Sequence, residues 1–78
     1  MISVVDFSKA SEQNKIFLAS NVRNPEALRK LATESSQEIL IEVIGNPATP
    51  IDVIEELTLS TNTKIQEMAQ SQLKLREK

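Results

Sequence analysis

Apolar residues fall in short clusters along this chain, separated by polar stretches that carry its prolines. Ile16, Phe17, Leu18 and Ala19 form the first cluster; Ala27, Leu28, Leu31 and Ala32 the second; Ile39, Leu40, Val43 and Ile44 the third. Val53, Ile54 and Leu57 follow, and Ile65, Met68, Ala69, Leu73 and Leu75, with Gln72, mark the last. Spacings of i, i+1, i+4 and i+5 place such residues on one stripe of a helix. The stop and start signals agree. Ser8 or Ser11 can open the first helix, and Asn24-Pro25 the second, an Asn cap followed by Pro at the first helical position. Ser35 and Glu38 predict a capping box for the third, and Thr49-Pro50 the start of the fourth, with Thr49 as cap. Ser60-Thr61-Asn62-Thr63 offers caps for the fifth. Gly45, the only glycine, is placed to close the third helix in the left-handed conformation, and Asn46-Pro47 forbids continuation. Met1 to Phe7 alternates weakly and predicts an extended arm or cap.

The clusters also repeat. Asn21-Val22-Arg23-Asn24-Pro25 is echoed by Asn46-Pro47-Ala48-Thr49-Pro50, 25 positions on. Ala27 to Ala32 answers to Val53 to Thr58, and Ile39 to Val43 answers to Ile65 to Ala69, each at a shift of 26. A period of roughly 20–50 residues marks a helical solenoid, in which each unit covers its neighbour's apolar face. The expected fold is therefore all-α: a short solenoid of about five short helices. It forms a single domain over residues 1–78, with 1–7 as arm or cap and 8–78 as repeats. Asn21 and Asn46 should then stand in equivalent places.

Composition narrows the chemistry more than it identifies it. Of 78 residues, 40% are apolar but only 3% aromatic, with no Trp or Tyr, so the core must be aliphatic. Interface hot spots and base-stacking platforms built on aromatic rings become less available. The absence of Cys and His removes thiolate metal sites, Cys nucleophiles and the commonest general base. One glycine cannot make a phosphate-cradling loop. Glu38 and Glu42 could bracket a hard cation, and Ser11 with Lys15 could form a Ser–Lys pair, but solvent-facing charge for the first and chance spacing for the second are the better explanations. The expectation is no enzyme, no cofactor and no metal. With no basic leader and no long apolar run, the expected location is the cytoplasm, away from membranes.

Charge is segregated. Residues 1–30 carry a net +2, residues 31–63 carry six acids and no base, and residues 64–78 return to +2. Glu42, Asp52, Glu55 and Glu56 are candidates for an acidic ridge that docks a basic partner. Ile41 projects about 130° from the centre of its stripe, Leu59 lies nearly opposite its own, and Ile51 is intermediate. Unless buried between units, these three form an apolar patch. The candidate partner-binding set is thus Ile41, Glu42, Ile51, Asp52, Glu55, Glu56 and Leu59.

The segment Ile39 to Pro50, followed by Val53 to Leu57, resembles the variant leucine-rich repeat. Ile39, Val43-Ile44, Asn46-Pro47, Thr49-Pro50, Ile54 and Leu57 fill that family's pattern. Leu18-Ala19, Asn21, Asn24-Pro25, Leu28 and Leu31-Ala32 match an earlier unit, and Ile65, Met68 and Ala69 part of a later one. The resemblance implies a right-handed superhelix of the HEAT and armadillo kind, without catalytic residues. The family's arginine is replaced by Leu40 and Gln66, so no basic ladder carries over, and the absence of cysteine excludes its iron–sulfur domain. Function is then expected to be protein–protein interaction, with another protein or with itself as a homodimer. The alternative is nucleic-acid binding by the basic ends, through Lys9, Lys15, Arg23, Arg29, Lys30, Lys64, Lys74 and Arg76. A small-molecule slot between short helices ranks third.

Overall fold

A computed structural model describes residues 11–76, and among them every regular element is helical. The helices are α1 (Glu12–Asn21), α2 (Pro25–Leu31), α3 (Gln37–Gly45), α4 (Ile51–Leu57) and α5 (Thr63–Arg76). The arm expected over Met1–Phe7 and the start at Ser8 lie outside the described residues.

Side-chain caps fix most of the starts. Ser11 Oγ accepts the Asn14 N–H at 3.2 Å, and Asn24 Oδ1 accepts those of Glu26 and Ala27 at 2.8 and 3.3 Å. Before α5, Asn62 Oδ1 accepts the N–H groups of Lys64 and Ile65 at 3.0 and 3.3 Å. Three signals act differently from expectation. The cap of α3 is Ser36, whose Oγ takes the Ile39 N–H at 3.5 Å, so Glu38 sits one place too early to reach back as a capping-box partner. Thr49 does not cap α4. Its hydroxyl is buried and donates to the Val43 carbonyl at 2.6 Å, closing α3, and Pro50 takes the cap position without a side-chain bond. Gly45 is the last residue of α3 and has no positive φ. The exit is made instead by Asn46 in extended conformation.

Among the described residues the core is aliphatic and lies in two adjoining clusters. Ala19, Leu28, Leu31, Ile39, Val43 and Val53 make the first; Leu40, Ile44, Ile54, Ile65 and Ala69 make the second. α3 feeds both, through Ile39 and Val43 on one side and Leu40 and Ile44 on the other. α1 and α5 pack on those two sides, α2 packs on α1 and α3, and α4 packs on α5. Burying one such side chain contributes about 1.5–3 kcal/mol relative to exposure, so a helix covered twice is the main anchor of a domain this small. α5 is covered once. Twenty-six positions after Leu40 and Ile44 it carries Gln66 and Gln70, and Gln70 is exposed.

Polar side chains tie successive helices together. Asn46, 2% exposed, donates from Nδ2 to the carbonyls of Ala19 and Val22 at 2.8 and 2.7 Å and accepts the Ala48 N–H at 2.9 Å. Arg76 on α5 reaches the carbonyls of Asn46 (2.7 Å) and Thr49. Ser36 Oγ donates to Glu12 Oε2 at 3.0 Å, and Asn62 Nδ2 to Gln37 Oε1 at 2.9 Å. Asn21 and Asn46 both stand where a helix ends, but their surroundings differ. Asn21 is exposed and donates within its own helix, to the Phe17 carbonyl at 2.9 Å. Two residues assigned to apolar stripes also point outward: Phe17 is 64% and Leu75 67% exposed.

Candidate partner-binding face

α4 turns Val53 and Ile54 into the core, which leaves the opposite side of a seven-residue helix to solvent. On that side stand Ile51, Asp52, Glu55 and Glu56, all exposed. Beyond the helix the backbone tightens. Leu59 N–H reaches the Glu56 carbonyl and Ser60 N–H the Leu57 carbonyl, both at 3.1 Å. Those i→i−3 bonds carry Leu59 outward, 81% exposed, the most open large apolar side chain among the described residues. Five of the seven candidate residues are thus brought to one place: Ile51, Asp52, Glu55, Glu56 and Leu59.

Ile41 and Glu42 do not join them. Both are half-buried on α3, and Ile41 packs against the second core cluster. The physical reason is that α3 is covered from two sides, so a residue off its main stripe still meets a neighbour.

The acidic ridge acquires a cation from another helix. Arg29 of α2 donates from Nη1 to Asp52 Oδ2 at 2.5 Å. That hydrogen bond, reinforced by the opposite charge, holds the Asp52 carboxyl below its ordinary value of 3.8 and the Arg29 guanidinium above its own. Sequence order hides this contact, because the two residues lie 23 apart on different helices. Glu55 and Glu56 have no ion pair among the described residues.

The basic residues of the two ends are not a continuous patch either. Lys15 pairs with Glu34 at 3.1 Å, and Arg76 is engaged by backbone carbonyls. Arg23 turns to the carbonyls of Ser20 and Val22 at 3.2 and 3.4 Å. Lys9 lies outside the described residues. Lys30, Lys64 and Lys74 stay exposed and without an ion pair among the described residues.

Cavities are shallow. A polar hollow of about 300 Å³ between α1 and α3 is lined by Glu12, Lys15 and Glu34, whose own contacts satisfy it. A second, of about 370 Å³, opens beside Ile44, Gly45 and Met68. Neither brings polar anchors around an apolar slot, as a small-molecule site does. No helix among the described residues is long and apolar enough to cross a membrane.

No family model, curated protein or solved structure matches this chain.

Proposed function

We propose that this chain is a non-enzymatic helical-repeat interaction module. It is a short right-handed solenoid resembling the variant leucine-rich repeat, and it binds another protein in the cytoplasm through the outer face of α4. The observation that carries the repeat is the spacing of helix starts. Glu12, Gln37 and Thr63 open α1, α3 and α5 at steps of 25 and 26, and Pro25 and Ile51 open α2 and α4 at a step of 26. The packing of α3 between α1 and α5 fits stacked units, each laid on the one before. An outward face holding Leu59 and Ile51 beside Glu55 and Glu56 joins apolar contact area to a charge that steers and selects a partner.

A photo-crosslinking amino acid at position 59, compared with the same group at the exposed Gln13 on α1, tests this in lysate of the source cells. The expected result is protein adducts from position 59 and few from position 13. Equal yields from both positions, or adducts to nucleic acid, would overturn it.

A further inference from the structure

Resting on that reading of the α4 face, we infer that one occupant of the face is a second copy of this chain, bound about a two-fold axis. The Arg29–Asp52 contact joins the outer sides of α2 and α4 into one surface. Its two halves carry opposite charge. The α2 half holds Arg29 and Lys30 against Glu26, with Arg23 in the turn before the helix, a net +2; the α4 half holds Asp52, Glu55 and Glu56, a net −3. All seven side chains are exposed.

A closed homodimer needs a patch complementary to itself, and a surface with a basic half beside an acidic half becomes so when turned by 180°. The rotation lays α2 of one copy along α4 of the other, twice. Lys30 and Arg23 then face the partner copy's Glu55 and Glu56. The two Arg29–Asp52 pairs meet near the axis as a four-charge cluster, in which each arginine has a carboxylate on either side. Leu59 at the acidic edge is covered by the opposing basic half, whose long lysine and arginine stems supply apolar surface.

The footprint is small. Each of the two helices has seven residues, about 10 Å of length, so the contact falls in the class of weak interfaces. Association is expected with a dissociation constant on the order of 0.1 mM, shifted by salt because exposed charges are screened.

Sedimentation equilibrium of the full chain up to about 1 mM, in low and in high salt, tests this, with charge exchange as the specific probe. The variant R23E/K30E makes both halves acidic, and E55K/E56K makes the α4 half basic. Each alone is expected to associate at least about tenfold more weakly than the parent, with the helical circular dichroism unchanged because every altered side chain is exposed. Mixed in equal amounts, the two should associate, since each acidic half then meets a basic one. Leu59→Ala should weaken the parent dimer about threefold to tenfold. A parent chain that is monomeric at 1 mM in low salt, or charge variants that fail to associate when mixed, would overturn the inference. If position 59 still crosslinks to a different protein, the interaction module stands and only the homodimer fails.

Discussion

Asn46 shows how much one amide can hold in a core whose described apolar side chains are all aliphatic. Its side chain closes the end of α1 and the start of its own turn together, inside a site that water does not reach. Asn46→Ala leaves the Ala19 carbonyl buried without its donor, and the expected loss in urea unfolding is about 2–3 kcal/mol. Asn46→Asp should cost more, because an acceptor replaces the donor and brings charge into the core. Asn21→Ala is the control: its amide is exposed, so the change should stay within about 0.5 kcal/mol. If the two alanine variants unfold together, the buried amide is not the anchor. A second residue-scale outcome concerns pH. The Asp52 carboxyl lies below its ordinary range in the folded chain, so its contribution is complete above the unfolded-state value of about 3.9. It is lost as pH falls through the folded value. Carbon NMR should place the Asp52 midpoint below 3.8 and move it upward in Arg29→Gln. An unmoved midpoint would show that the guanidinium is not its cause.

Helices as elements were legible in the sequence because two local signals coincide at four of the five, an apolar stripe and a capping side chain, while α4 has the stripe without a side-chain cap. Val53 and Ile54, adjacent in a short polar-flanked stretch, are enough to define the inward side of α4 and therefore its outward side. What local signals leave open is the frame. Ser35 and Ser36 are both competent caps, and packing of Ile39 and Val43 against α1 and α2 selects Ser36. Thr49 has a hydroxyl that either α3 or α4 could use, and burial directs it to the Val43 carbonyl. Ile41 and Arg29 depend on neighbours far away in sequence, which no periodicity records. Gly45 gives this difference an energetic sign. A left-handed glycine would be damaged by a β-carbon. This one ends α3 with no positive φ, and a β-carbon built there meets nothing within 4 Å. Gly45→Ala should therefore stabilise the protein, by about 0.5 kcal/mol from helix propensity and the unfolded chain's lost freedom. For a domain of this size that raises the thermal midpoint by a few degrees, on the scale of about 4–8 °C per kcal/mol. A lowered midpoint would return the glycine to a strained turn.

At the scale of the molecule, the three helices α1, α3 and α5 are not interchangeable, and their differences predict where the chain can grow. α3 has apolar side chains on two sides, Ile39 and Val43 toward α1 and α2, Leu40 and Ile44 toward α5. In α5 the positions 26 later hold Ile65 and Ala69 on the side that meets α3, but Gln66 and Gln70 on the other. If the units repeat as proposed, residues 37–62 form one interior unit and α5 acts as a polar cap, as terminal repeats do. A second copy of residues 37–62 inserted directly after Asn62 should then stack, because its Ile39 and Val43 occupy the places of Ile65 and Ala69. Its Leu40 and Ile44 in turn receive α5. The longer chain is expected to unfold in one transition, with a urea midpoint at or above the parent's. Its denaturant slope should be larger by roughly a third, in proportion to added buried surface. The same 26 residues appended after residue 76 meet Gln66 and Gln70 instead of an apolar row. That chain should keep the parent's slope and midpoint, with the added helices readily proteolysed. Two chains that behave alike would show that helix spacing, without a two-sided α3, does not specify stacking.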